Sequence, residues 1–409
     1  MRIAAGGEFC GRKKEVVSVS RKLTEGKHVW VQSEHLNGLS SYLIKIQERL
    51  SRSHQIKSFL LDLNLVTNSA DAIKALSGAY TALATLSQDP KSLKTRSADR
   101  VGKFFSLFSS VEAAGLRINL IDDDDVADSS AQLLSQQLDF LIRGLGEHSS
   151  DEKVVLVIDG LENLSIIDTP NGVMRKSLKS LLERKHGVSV LMGGSTPELL
   201  QQAGKSLGID ALYSRADKMT LPRIPTAEWL PFIKERFLNT HDLILPTGSG
   251  KFLLSLCENS TNYVVYLTDV LLNEPLENLK DSQGLICLEK TNDLLRGAWL
   301  ESIKQNFLSL EFNLFELKSS ESRSIIQALS KSGPQGGLEL LDSVDNASKD
   351  DLIDLIVNGY ITKDVIGGRF RLADPLLKSY VSLQDHIIFS ADEKNLSTLD
   401  NEVFVAPEP

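Results

Sequence analysis

His28-Val29-Trp30-Val31-Gln32 reads as a buried strand, Ser33-Glu34-His35-Leu36-Asn37-Gly38 as a polar turn, and Leu39-Ser40-Ser41 as the start of a helical pattern that continues to Arg52. A turn in this setting can wrap phosphates. It does so with backbone N–H groups freed by glycine, a lysine that neutralises charge and a hydroxyl that holds Mg²⁺. Laid on the template G-x-x-x-x-G-K-[ST], Gly38 keeps the second glycine and Ser40 the hydroxyl, while Ser33 replaces the first glycine and Leu39 the lysine. Half of the template is absent. Alone, the match does not separate this turn from an ordinary strand–turn–helix.

The surrounding chain alternates strand and helix. Ser58–Asp62 is a second strand, followed by a helical stretch from Ser69 to Ser87, and Arg117–Ile121 reads as a strand or a loop. After the acidic run Asp122–Asp125, a helix over Ser130–Leu145 precedes a central strand, Val154–Asp159. A helix over Val173–Lys185, a strand over Val188–Met192 ending in Gly193-Gly194-Ser195, and a last strand over Lys218–Leu221 complete the set. Such alternation predicts a parallel sheet covered by helices on both faces, a three-layer α/β domain over residues 1–225.

From Thr226 the pattern turns helical, at Ala227–Leu238, Lys251–Leu256, Tyr263–Leu272 and Asp293–Phe307, with no strand expected between them; this predicts an all-α domain over 226–315. Helices at Glu321–Leu329 and Ser348–Asn358 then precede two short strand patterns flanking Ile366-Gly367-Gly368, a hairpin signal. Helices followed by a small hairpin predict a winged helix over 316–388. The tail, 389–409, is acidic and is expected to be mobile.

Composition excludes several classes. The 409 residues carry 42% hydrophobic and 24% charged side chains, ordinary for a globular protein of two or three domains and unlike a disordered or fibrous chain. A net charge of −9 supplies no overall field for nucleic acid, so DNA binding has to be argued locally. Three cysteines without a C-x-x-C pair fit free thiols in a reducing compartment, and seven scattered histidines give no zinc motif. The longest apolar runs fall far short of the roughly 18 residues a membrane span needs, and the first residues show no signal-peptide pattern. The expectation is a cytoplasmic protein with no membrane partner.

Seven further segments, in order over residues 8–385, resemble the archaeal-type ATPase branch of the AAA+/STAND P-loop NTPases. Phe9-Cys10-Gly11-Arg12-Lys13-Lys14-Glu15-Val16 looks like that family's opening F-x-G-R-x-x-E-h motif, which lies against the nucleotide base. Ser58–Asp62 is similar to its second strand, Val154–Asp159 to its Walker B strand, and Val190–Ser195 to the strand that ends in Gly-Ser. Ala211-Leu212-Tyr213-Ser214-Arg215-Ala216 resembles its L-Y-x-R-A segment. Asn358–Ile361 and Phe370–Leu377 resemble the G-Y-I and F-x-h-x-D-P-h-h signature of its winged helix. The resemblance implies a P-loop NTPase domain, an all-α lid and a C-terminal winged helix, with ATP or ADP and Mg as the ligands. It places Ser33, His35, Asn37, Gly38, Leu39, Ser40, Ser41, Asp159, Glu162, Ser195 and Arg215 at the nucleotide, with Phe9, Gly11 and Arg12 at its base, and gives Asp159 and Ser40 the metal.

The departures from that pattern weigh more than the agreements. Hydrolysis needs positive charge at the β/γ-phosphates and a carboxylate to orient water, and an aliphatic side chain supplies neither. Leu39 stands for the lysine, and Gly160 follows Asp159 where the family commonly has its catalytic Glu. Glu162 can substitute only if the strand end aims it inward. Ser260-Thr261-Asn262 stands where the helical domain commonly carries Gly-x-Pro. No catalytic residue is therefore assigned, and the expectation is a pseudo-ATPase acting as a regulatory or scaffolding subunit with a protein partner or as a homo-oligomer. Backbone donors remain at Gly38–Ser41, so weak or absent nucleotide binding stands beside firm binding. An ATP-binding switch or DNA-loading ATPase with a non-standard site is the alternative.

Three lesser signals complete the reading. Leu245–Phe252 contains Gly-Ser-Gly-Lys but lacks the first glycine and the hydroxyl, so a turn opening a helix is expected. His35 either adds positive charge when protonated or is an exposed loop histidine, and Arg215 either meets a partner's phosphates or pairs with Asp217. Residues 319–385 hold ten acids and seven bases, and the second helix carries Asp350, Asp351 and Asp354 against Lys349. That charge favours a protein-binding winged helix, with Lys363, Arg369 and Arg371 leaving a wing-first DNA contact open.

Overall fold

The computed structural model of the chain describes residues 9–34, 36–54, 56–64, 153–163, 178–180, 182–183, 188–194, 210–315, 317, 319–331, 349–357, 359–363 and 370–389. The expectations for Ser69–Ser87, Arg117–Ile121, Asp122–Asp125, Ser130–Leu145, most of Val173–Lys185, Ile366–Gly368 and the tail beyond Phe389 lie outside the described residues.

The chain divides into two compact units. The first holds residues 13–33 and 39–221, and the second holds 10–12, 34–38 and 222–409. In the first unit, α1 (Lys13–Thr24) buries Val16, Val19, Ser20 and Leu23, the spacing of one helix face. After it come β1 (Val29–Ser33), α2 (Leu39–His54), β2 (Lys57–Asp62), β3 (Val154–Asp159), β4 (Val188–Gly194), the single turn α3 (Asp210–Tyr213) and β5 (Asp217–Leu221). The five strands form one sheet in the order β2-β3-β4-β1-β5, and every neighbouring pair is parallel.

Burial follows from that order. β3 and β4 are buried along their whole length, as continuous apolar runs inside a parallel sheet should be. Among the described residues β2 and β5 are the outer strands, and they carry exposed charged positions such as Asp62 and Lys218. The connection leaving β1 leads to β2 on one side, and the one leaving β4 leads to β5 on the other. The order reverses between these two strands, where parallel α/β sheets place their ligands outside the carboxyl ends.

His28 ties the sheet together from its side. Its Nδ1 accepts the Val190 backbone N–H at 3.1 Å, and its ring also bonds the backbone of Leu182. Burial lowers its pKa below 6.5, with the Leu182 bond opposing. A lowered folded pKa gives stability that is present above the unfolded value and lost as pH falls through the folded one. The denaturation midpoint should therefore drop below about pH 6.5, and His28→Phe, which cannot take up the proton, should flatten that part of the profile. Urea titrations from pH 8 to 5 measure it.

The second unit is helical and ends in a hairpin. Its elements are α4 (Thr226–His241), α5 (Thr247–Leu256), α6 (Thr261–Asn273), α7 (Leu276–Leu279), α8 (Leu288–Gln305), α9 (Phe307–Phe315), α10 (Ser320–Ser330), α11 (Lys349–Val357), β6 (Ile361–Lys363), β7 (Phe370–Leu372) and α12 (Pro375–Phe389). β6 and β7 are antiparallel, with Ile361 opposite Leu372. One departure from the all-helical expectation is a lone antiparallel bridge between Lys280 and Ile286, which closes the turn between α7 and α8. One apolar core runs from Cys10 and Ile224 through Trp229, Leu267 and Trp299 to Leu372 and Tyr380, so the helices of 226–315 and those beyond 316 share it.

Candidate functional site

In the first unit, the carboxyl end of β3 presents Asp159, which is only 4% exposed. Burial raises its pKa, and hydrogen bonds from the side chains of Ser40 and Asn64 oppose that rise. Ser40 sits in the first turn of α2. The two residues expected at the metal are thus brought together, the hydroxyl donating to the carboxylate. Asp62, at the end of β2, stands in register with Asp159 and accepts from Asn64 at 2.9 Å and 3.0 Å. Asn64 was not foreseen. It lies two residues past a strand end and matches no motif, so only strand pairing reveals it. Among the described residues no group of three or more His, Cys, Asp or Glu gathers to hold a metal.

Leu39, where a phosphate lysine would stand, begins α2 and packs on the apolar core of this unit beside Leu43. It reaches over β4, where a Cβ at Gly193 would come 3.4 Å from its Cγ and Cδ2. Ser33 ends β1, and Ser41 lies half-buried in α2. Phe9 packs against the same core, with the Lys45 ammonium 5.7 Å above its ring.

Gly160 has a structural cause. After Asp159 the backbone turns into the left-handed region, φ +78°, and a Cβ there would stand 2.8 Å from the Asn64 backbone nitrogen and 3.0 Å from the Leu63 carbonyl carbon. The backbones are laced together by Leu63 N–H to Asp159 O at 2.9 Å and Asn163 N–H to Gly160 O at 3.0 Å. Only glycine fits this crossing. Glu162 lies in the one-turn 3₁₀ helix Leu161–Asn163, and its side chain is outside the described residues. His35 and Ser195 also lie outside them.

In the second unit, the turn Glu34–Gly38 is bound by its carbonyls. Arg12, buried and itself at φ +56°, donates to Asn37 O at 2.9 Å and to Pro222 O at 3.2 Å. Thr261 Oγ1 donates to Asn37 O at 3.2 Å, and Asn262 N–H donates to Leu36 O at 3.3 Å. Thr261 and Asn262 open α6, where the Gly-x-Pro segment was expected. Gly38, φ +75°, leaves no room for a side chain, since a Cβ would stand 2.9 Å from Thr261 Cγ2. Gly11, φ +64°, is pressed likewise on the Glu228 carboxylate, which accepts the Arg12 backbone N–H at 3.2 Å.

Glu34 makes the strongest contacts of this turn. Its Oε2 lies 3.0 Å from Arg223 Nε, and its Oε1 lies 2.6 Å from Arg371 of β7. Arg223 also donates to Glu258 O at 3.0 Å and Ala373 O at 2.9 Å, and Lys378 pairs with Glu258 at 2.6 Å. Arg223 and Glu258 matched no motif and carried no signal in the sequence.

The remaining sequence signals take the following places in the structure. Arg215 pairs with Glu183 at 2.8 Å and not with Asp217, which instead pairs with Lys22 at 3.1 Å; the partner is non-local and spacing could not find it. Gly248-Ser249-Gly250-Lys251 lies inside α5, which starts earlier than expected, at Thr247, so this stretch opens a helix. Asp351 accepts from Ser319 at 2.6 Å and Ser322 at 3.3 Å, joining α11 to α10, and does not stand free on an acidic face.

No protein-family model matches the sequence, and no curated protein matches it significantly. Among solved structures the chain is similar to a Walker-type ATPase of Pyrococcus abyssi, with a TM-score of 0.55 and 14% identity, over 91% of this chain and 96% of that one. Fainter likenesses reach the ORC2 protein of Aeropyrum pernix (TM-score 0.44, 13% identity, 94% and 97% covered) and Cdc6p of Pyrobaculum aerophilum (0.40, 12%, 95% and 96%), and these add nothing to the fold assignment. The five-stranded parallel sheet, the turn between β1 and α2 and the likeness to the Walker-type ATPase agree: the chain has the α/β fold of a P-loop NTPase.

Proposed function

We propose that this AAA+-fold chain is a pseudo-ATPase of STAND-like organisation, which binds nucleotide weakly or not at all and serves as a regulatory or scaffolding subunit. The observation that carries the reading is the pairing of Leu39, packed over Gly193, with Gly160, locked in a left-handed turn against Asn64. A triphosphate needs a cation at the first position and an attacking water needs a carboxylate near the second. Ser40 and Asp159 are the residues that would hold Mg²⁺; their chemistry fits that ion, whereas the lysine position does not fit the phosphates.

In this reading residues 226–315 act as the lid, 316–388 as a winged helix and 389–409 as an acidic tail, in a cytoplasmic protein. Its partner is another protein or a further copy of itself. Arg371, engaged by Glu34, has its charge matched from within the chain, which supports a protein-facing hairpin over one that meets DNA phosphates. No helix among the described residues is long and apolar enough to cross a membrane.

Calorimetric titration with ATP, with and without Mg²⁺, and a phosphate-release assay test the proposal. Neither the wild type nor Leu39→Lys should turn ATP over, because the lysine alone leaves the water unattended. Leu39→Lys should tighten ATP binding about tenfold through a charge-assisted contact. Micromolar binding with turnover by the wild type overturns the pseudo-ATPase reading in favour of a nucleotide switch.

A further inference from the structure

Five charged side chains form one connected network inside the second unit: Glu34 from the β1–α2 turn, Arg223 from the segment after β5, Glu258 from the α5–α6 turn, Arg371 from β7 and Lys378 from α12. Arg223 and Glu258 have side chains only 7% exposed, so removing one partner strands a buried charge, which costs far more than breaking a surface ion pair. The carboxylate of Glu34 gives one oxygen to each of two guanidinium groups, one on the segment after β5 and one on the hairpin. Two carbonyl acceptors complete the shell, because Arg223 also binds Glu258 O and Ala373 O, and Ala373 N–H donates to Tyr360 O at 2.8 Å beside β6.

A phosphate-binding turn keeps its donors turned toward a ligand and has no use for an acid bound by arginines. Here described residues of the turn accept from the rest of the unit: Glu34 takes arginines, Leu36 O takes Asn262 N–H, and Asn37 O takes Arg12 and Thr261. We propose that Glu34 is an internal latch that fastens the turn Glu34–Gly38 to the β6–β7 hairpin through Arg371 and Arg223, so that turn and hairpin order or loosen together. The vestigial phosphate loop is thereby a structural tether of the C-terminal hairpin. This goes beyond the absence of hydrolysis and holds whether or not nucleotide binds elsewhere on the chain.

Hydrogen exchange on the full chain, read by mass spectrometry, tests the latch. Glu34→Gln, which keeps shape and removes charge, should raise exchange in residues 370–374 about tenfold, as should Arg371→Gln in residues 34–38. The double variant should exchange no faster than Glu34→Gln alone, because that change already removes the Arg371 pair along with the Arg223 pair. Unchanged exchange at 370–374 in Glu34→Gln, or additive effects in the double variant, overturns the proposal. If Glu34→Gln does not fold, Glu34→Asp, which keeps the charge and shortens the reach, should give a smaller rise at the same residues. A Glu34→Asp protein matching wild type there overturns it equally. ATP titration of the same variants reads the pseudo-ATPase proposal separately, since loosening of the hairpin requires no nucleotide.

Discussion

Gly160→Glu is expected to fail as a repair of hydrolysis and to destabilise the first unit by about 2–5 kcal/mol. The figure combines two costs at one position. A side chain at φ +78° enters the left-handed region that L-residues avoid, at roughly 1–2 kcal/mol. Its Cβ would also stand 2.8 Å from the backbone nitrogen of Asn64, and backbone on both sides of that contact is held by hydrogen bonds, so relief requires moving a strand end. Gly160→Ala separates backbone from charge: it should lose nearly as much stability as Gly160→Glu in urea denaturation, and neither should release phosphate from ATP. A Gly160→Glu protein as stable as wild type, or one that hydrolyses ATP, would show that the strand end can open after all. The missing glutamate would then be a simple substitution in an otherwise working site.

Trp299→Ala should cost about 3–5 kcal/mol and reduce protection from hydrogen exchange in α6 and α12 together. Trp299 is fully buried in α8. Its Nε1–H donates to Ser379 Oγ of α12 at 3.0 Å, and its ring meets Tyr263 of α6 edge-on at 5.1 Å. Tyr263 in turn donates to Asp374 at 2.9 Å, ahead of α12, and burial with that carboxylate pushes the phenol pKa upward. One side chain therefore joins the helices of 226–315 to those beyond 316. A loss on this scale is a large part of the roughly 5–15 kcal/mol that holds a typical domain folded. If α12 alone lost protection while α6 kept it, the helices of 226–315 and those beyond 316 would be separate cooperative units with a merely adjacent boundary.

Much of the fold was legible before any coordinates, and the reason is local. Val154–Asp159 is apolar throughout because both faces of a central parallel strand are buried, and its bounds fall where the pattern placed them. β1 and α2 were likewise bounded to within two residues, since the switch from a continuous apolar run to helical spacing is written into adjacent positions. Helices α5 and α8 begin several residues earlier than their apolar spacing suggested: α5 at Thr247, directly after Pro246, and α8 at Leu288. The first turn of a helix need not carry the buried stripe, so spacing alone starts such a helix late.

The candidate site was legible only in part. The family resemblance put Ser40 and Asp159 at one metal, and in the structure the two side chains are hydrogen-bonded to each other. Asn64, Arg223 and Glu258 carried no signal, because what matters about each is its neighbour across the fold. Arg215 illustrates the same limit: Asp217 is close in sequence, yet the ion pair forms with Glu183.

By itself the sequence determined the alternating strands and helices of the first unit and the helical character of the second. It also determined that residue 39 is an aliphatic side chain and residue 160 a glycine, since residue type and period are properties of the chain itself. Tertiary structure alone decided why position 160 is glycine, where the Leu39 side chain goes, and that Glu34 of the β1–α2 turn meets Arg223 and Arg371. Those facts depend on which backbones cross and which charges are buried together, and chain spacing carries no record of contacts made 189 or 337 residues apart.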